Sequence, residues 1–204
     1  MIIYKPYGKS KLHPRRNEVK QIYLKYKDYF ENNKKESKMG KFLTTSAVIE
    51  QESKKGVYVV HEHELYQDDD GSIYLVWRGF TTDNFTWINS SDWDIRCAHG
   101  HDVGCKYGEI VRVNLSEKEL RSRRLLYVEG SKVLCKDIPL VHLEKVKVTG
   151  HQINNLFYRM LRDADNPKTP KLVQFFYRAG VCLNFGWFGK KDKLVLENIY
   201  KETE

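Results

Sequence analysis

The sequence predicts an α+β fold: a small antiparallel sheet rich in β-hairpins, packed against C-terminal helices and preceded by a basic N-terminal helix. Three observations carry this. Alternating β-branched and aromatic runs flank tight Asp-Gly and Glu-Gly turns. Two C-terminal segments place apolar residues at helical spacing. The first forty residues are lysine-rich, with a tyrosine stripe at the same spacing.

Residues 1–16 read as an irregular basic lead. Asn17 is a suitable N-cap, after which Val19, Ile22, Tyr23, Tyr26, Tyr29 and Phe30 share one helical face. Lysines fill the other face, and Gly40 stops the helix. Such a stripe packs on a protein body far more often than it stacks on bases. Residues 43–55 read as a linker with a first strand in "FLTTSAVIEQ". "GVYVVHEHELYQ" and "SIYLVWRGF" then form a hairpin about "DDDG". In its first strand His61 and His63 share one face and Glu62 and Glu64 the other, so one face is expected to be wet.

Ser116 and Glu119 form a capping box opening a short helix, "EKELRSRR". "RLLYVEGSKVLCK" reads as a second hairpin about Glu129-Gly130, and "HLEKVKV" as a strand. "HQINNLFYRMLRDA" puts Ile153, Leu156, Phe157, Met160 and Leu161 on one helical face. A last helix starts with Thr169 as N-cap and Pro170 at its first position. It is apolar nearly all round and is expected to be central, with Cys182 in the core.

The chain has 204 residues and a net charge of +8. Its 12 Lys/Arg and 4 Asp/Glu within residues 1–42 account for the whole excess, because residues 43–204 hold 23 of each sign. This divides the chain into a basic helical arm, 1–42, and an α+β domain, 43–204. A basic arm on a neutral body calls for an anionic partner, a nucleic acid or an acidic protein surface. The binding candidates are Arg15, Arg16, Lys20, Lys25, Lys27, Lys34 and Lys35, with a second cluster at Arg121, Arg123 and Arg124. The four cysteines, at 97, 105, 135 and 182, are too scattered for a disulfide scaffold and are expected to be reduced. No run of roughly 18 apolar residues predicts membrane insertion, and residues 1–16 lack the apolar core of a signal peptide.

No phosphate-binding glycine loop, Gly-x-Ser-x-Gly elbow or His-Glu-x-x-His helix is present. "CAHGHDVGC" concentrates the reactive side chains. Read as extended chain, Cys97, His99, His101 and Cys105 share one parity, and three chemistries compete. Four zinc ligands fit in softness, but an extended strand cannot wrap them round one ion. A Cys105 nucleophile with a histidine base needs a third, orienting group. His101 as general base or divalent-metal ligand needs a carboxylate; Asp102 points away on any regular element, which leaves Asp83 to orient it.

Gly79-Phe80-x-Thr82-Asp83, followed by Thr86, resembles the Gly-Phe-x-Thr-Asp-x-x-Ser-x-Pro signature of a phage and prophage family catalogued as domain of unknown function 1353. Ala98, His101 and Asp102 match its Ala-x-x-His-Asp motif; Phe157, Tyr177, Ala179 and Phe185-Gly186 match its later helices. The resemblance spans about residues 56–188. Thr86 stands for serine, Ile88 for proline, Gly104-Cys105 for Leu-Tyr and Asn154 for an aspartate. It implies a phage-borne or mobile-element protein of the host cytoplasm or the virion, with Asp83, His101 and Asp102 as recurring polar residues. Three function classes follow. The first is an accessory protein binding nucleic acid or a host partner through the arm, for instance in counter-defence. The second is a small hydrolase-like enzyme with a His-Asp site for RNA or DNA. The third is a virion or assembly component.

Overall fold

A computed structural model describes residues 40–45, 48–50, 58–82, 96–164 and 192–200, with the backbone alone at 48–50. The expected N-terminal helix and the helix beginning at Thr169 lie outside these residues, as do Asp83 and Cys182. Within them the fold is α+β, built on a five-stranded antiparallel sheet.

Its order is β1 (Lys41–Phe42), β4 (Glu64–Gln67), β5 (Ile73–Val76), β7 (Glu109–Val113), β10 (Leu143–Lys147). The edge strand β1 thus comes from the end of the basic segment. A second sheet joins β2 (Val48–Glu50), β3 (Tyr58–Val60) and β6 (Thr81–Thr82). The hairpin β8 (Leu126–Glu129) and β9 (Lys132–Cys135) stands apart. Both expected hairpins form. Gly71 and Gly130 take φ of 88° and 60° in their turns, where a side chain would be strained.

The expected first strand of the β4–β5 hairpin is interrupted. β3 ends at Val60 and β4 begins at Glu64, so the two halves belong to different sheets. The break also overturns the wet face: His63 and Glu64 are both buried. Strand β7 is an inner strand of the sheet, paired on both sides, and no sequence pattern announces it. Its Ile110, Val111 and Val113 are all buried, so the sheet has no wet side there and the strand has no clean alternation.

Register aligns Leu65 with Leu75 and Leu75 with Val111, three buried residues in one row across the sheet. Their parity puts them on one face. Glu64, Tyr66, Tyr74, Val76 and Ile110 lie on the opposite face, where they share a narrow gap with the helices. Two of these helices form the layer above the sheet: α1 (Arg96–Tyr107) and α3 (Gly150–Asp163). Thr149 and Gln152 close a capping box at the start of α3. Its expected face is buried at all five positions.

Glycine sets how closely α1 and α3 approach. A Cβ on Gly104 would stand 2.3 Å from Ile153 Cδ1, and one on Gly100 2.8 Å from Met160 Cε. The C-terminal end of α3 is tied to the β4–β5 turn. Arg159 donates two 2.7 Å bonds to Asp68, Arg162 donates to Asp69 and Asp163, and the Tyr66 hydroxyl donates to Asp163 at 2.7 Å. Gly40 donates its N–H to Asp69 at 2.9 Å and has no room for a side chain beside Tyr66 and Asp163.

The short helix α2 (Glu117–Ser122) has the expected capping box at its start. It ends in a Schellman turn: Leu125 N–H donates to Leu120 O, and Arg124 N–H to Arg121 O. Arg124 occupies the left-handed position at φ 57°, where glycine is the usual choice and a side chain costs about 1–2 kcal/mol.

The helix seam yields a test. In a free helix, Gly104→Ala stabilises by about 1 kcal/mol. Here the added methyl meets Ile153 Cδ1, Cγ1 and Cβ, and overpacking of this kind costs roughly 1–3 kcal/mol. Urea unfolding is expected to show Gly104→Ala destabilised, with part of the loss recovered in the Gly104→Ala, Ile153→Ala double variant.

Candidate functional site around His101

The stretch "CAHGHDVGC" is helical, which corrects the extended reading and its parity argument. The helix α1 distributes these residues over three faces. Arg96, His99 and Val103 turn to the sheet. Cys97, Gly100, His101, Gly104 and Cys105 form the stripe toward α3. Ala98 and Asp102 form the third face, where Thr82 Oγ1 donates a hydrogen bond to Asp102 Oδ2.

The sheet-facing side holds a buried charged group. His99 Nδ1 lies 2.8 and 3.0 Å from the two oxygens of Glu64, and both side chains are within 2 % of full burial. Arg96 donates to the Thr44 carbonyl and lies 4.0 Å over the Phe42 ring. His99 is therefore a structural partner of Glu64, turned away from His101. Cys97 is fully buried, and Cys105 stands eight residues along the helix, about 12 Å by the helical rise. The helix does not bring Cys97, His99, His101 and Cys105 round one point. Among the described residues no group of three or more His, Cys, Asp or Glu is placed to hold a metal ion.

His101 keeps contact with water at 19 % exposure, as do Asp102 at 26 % and the half-buried Cys105. The His101 Nε2–H donates to Asn154 Oδ1 at 3.2 Å, and its ring lies on Phe157 with centroids 4.9 Å apart. Residues more than fifty positions apart in sequence thus meet across the α1–α3 seam. Asp102 Oδ1 is 3.8 Å from His101 Nδ1, close enough for attraction but too far for a hydrogen bond. At that distance Asp102 does not hold the ring in orientation. Asn154 does, and it supplies the third group that a Cys105 nucleophile requires.

Cys105 does not complete that arrangement. Its Sγ is 3.6 Å from Nδ1 and 3.5 Å from Nε2. An in-line bond to one ring nitrogen leaves the other much farther off, and a sulfur equidistant within the ring plane would run into Cε1. The thiol therefore lies over the ring face, with no direct proton path to either nitrogen. Burial lowers the proton affinity of His101, but the neighbouring Asp102 and Cys105 outweigh it and raise its pKa above the ordinary 6.5. A histidine shifted this way favours its cation, which can donate a proton or attract an anion and is a poor general base.

His63 is the contrasting case. Its Nδ1 accepts from the Arg78 N–H at 2.9 Å, so Nε2 carries the proton and donates to Asp137 at 2.7 Å. Both nitrogens are occupied. Burial, the larger effect, holds its pKa below the ordinary 6.5 against the pull of Asp137. The ring stands edge-on to Tyr200, whose hydroxyl bonds to both the N–H and the carbonyl of Ile138. This latch joins the broken strand to the C-terminal segment. His61, the other half of the expected pair, is exposed beside Glu62.

Arg121, Arg123 and Arg124 are all exposed at the end of α2. Arg121 is held by Glu117 at 2.9 Å, which Lys41 also contacts at 2.5 Å. Arg123 donates to His142 Nε2 at 3.0 Å. The arm candidates Arg15, Arg16, Lys20, Lys25, Lys27, Lys34 and Lys35 lie outside the described residues. Three interactions were missed in the sequence: Glu64 with His99 and His63 with Asp137, which left no signal there, and Asn154 orienting His101. Only the position of Asn154 in a motif pointed toward the last.

The two histidines depart from the ordinary 6.5 in opposite directions, and this is measurable. His63, lowered, adds stability above that value and loses it as pH falls. His101, raised, adds stability below that value and loses it as pH rises through its raised pKa. Imidazole NMR at pH 7 is expected to show His63 neutral with its proton on Nε2 and His101 doubly protonated, assigned through His63→Gln and His101→Asn. Searches against protein-family models, curated proteins and solved structures find no match to this chain.

Proposed function

We propose that this chain is an accessory protein of a phage or mobile element that binds nucleic acid through its basic N-terminal segment. One observation carries the binding reading: residues 1–42 hold the entire net charge of +8, on a body with equal numbers of acidic and basic side chains. Charge concentrated at one end favours a polyanion, because each neutralised phosphate releases condensed counterions. The phage assignment rests on the ordered motifs of residues 56–188.

The meeting of His101 with Asn154 and Phe157 favours a second reading, a hydrolase-like enzyme acting on RNA or DNA. In it His101 is a general acid oriented by Asn154, with Asp102 and Asp83 as the carboxylates. A pKa raised above the ordinary 6.5 suits an acid, and the partial exposure of His101 leaves it reachable. The binding reading is preferred because the charge asymmetry needs no assumption about the chemistry.

The two readings separate in one experiment. Fluorescence anisotropy of the full chain with a labelled duplex oligonucleotide is expected to show log K falling linearly with log salt. Changing Lys20, Lys25, Lys27, Lys34 and Lys35 together to Gln is expected to reduce that slope by up to about 4 and the affinity by more than tenfold at 0.1 M salt. His101→Ala is expected to bind as the unsubstituted chain does. Cleavage of the oligonucleotide that disappears in His101→Ala transfers the assignment to the enzyme.

A further inference from the structure

The body has a basic surface of its own, and its position relative to the arm is informative. Lys118, Arg121, Arg123 and Arg124 project from or just beyond α2, all of them exposed. The acidic residues of the same helix are already engaged. Glu117 takes Lys41 and Arg121, and Glu119 closes the capping box on Ser116. Arg124 has no ion pair among the described residues. Lys41, which reaches Glu117, follows Gly40, the residue that joins residues 1–39 to the body. The basic segment therefore attaches one side chain away from the arginine cluster.

Arg124 adds an independent observation. Its left-handed backbone is the place in a Schellman turn where glycine belongs. The chain accepts that strain and presents a free guanidinium to solvent. A cation near a helix C-terminus also complements the helix dipole, but so do Arg121 and Arg123, and neither sits in a strained conformation. The neighbouring surface is unusual as well. Val128, Leu140 and Val141 are the exposed large apolar residues of the described chain. They lie on β8, just after Arg124, and on the turn that carries His142, the partner of Arg123.

We propose that the end of α2 and the Leu140–His142 turn form a nucleic-acid-binding surface on the folded body, with Arg124 as its main phosphate contact. This rests on the nucleic-acid reading above and extends it to the folded body. Arg124 and Lys118 meet backbone phosphates. Val141, beside His142, offers an apolar surface to sugars or bases. Arg123, oriented by His142, fixes the edge of the contact.

The test uses the full chain, a labelled duplex oligonucleotide, and the variants Arg124→Gly, Arg124→Lys and Lys147→Gln. Lys147 is an exposed cation at the far end of β10 from His142. Arg124→Gly is expected to raise the unfolding midpoint by ~2–4 °C, since glycine relieves the backbone. It is also expected to weaken binding about three- to tenfold at 0.1 M salt and to lower the salt slope by about 1. Arg124→Lys is expected to keep most of the affinity, and Lys147→Gln all of it. A more stable Arg124→Gly that binds as tightly as the unsubstituted chain overturns the proposal while leaving the arm's role intact. Equal losses in Arg124→Gly and Lys147→Gln overturn it too, because net charge alone then explains both. A chain that binds polyglutamate but not the oligonucleotide overturns both this proposal and the nucleic-acid reading, in favour of an acidic protein partner.

Discussion

The close approach of α1 and α3 is the constraint on which the rest of the described structure depends. Two glycines one helical turn apart remove the side chains that would hold the helices apart, and Ile153 and Met160 fill the space. That distance brings His101 within hydrogen-bond reach of Asn154 and lays its ring on Phe157. It also lowers α3 onto the sheet, so that Arg159, Arg162 and Asp163 reach the β4–β5 turn. Bulk at either glycine would move all of these together, because one rigid helix carries them.

Ionic and polar groups are unusually frequent in this interior. Glu64 with His99, Asp163 with Tyr66 and Arg162, and Asp68 with Arg159 all remove charge from water. Such pairs gain little net stability over apolar replacements, since desolvation offsets most of the attraction. What they contribute here is position. Except for Arg162 with its neighbour Asp163, each joins elements far apart in sequence. Tyr66 shows the effect: burial first, then the carboxylates around it, raise its pKa far above the phenolic range. The Asp-rich turn is therefore an anchorage for α3 as well as a hairpin loop.

The hairpins were legible because period-2 patterns and Gly turns are local, and α3 was legible because its apolar stripe is unbroken. The failures share a physical cause, which is tertiary packing outweighing local preference. In α1 two glycines and two histidines lower helix propensity, yet the glycines are there for the neighbouring helix. Glu62 and Glu64 look alike in sequence, but Glu64 is buried because His99 awaits it thirty-five residues on. The candidate site divided in the same way. His101 and its separation from Asp102 were readable; the orienting role of Asn154 was not, since no local pattern ties residue 101 to residue 154. Strand β7 escaped notice because both its faces are covered.

Gly40 has a wider consequence. Its N–H is bonded to Asp69, and Tyr66 and Asp163 close in on its Cα, so the root of the basic segment is fastened to the same turn that anchors α3. A tether with a fixed origin turns the second of two contacts into an intramolecular event. Its strength is then set by effective concentration, which depends on the length of chain beyond the root. Two weak charged contacts joined in this way gain an avidity that neither has alone. On the proposed nucleic-acid reading, Gly40 thereby connects the packing of the core to the residence time on the bound strand.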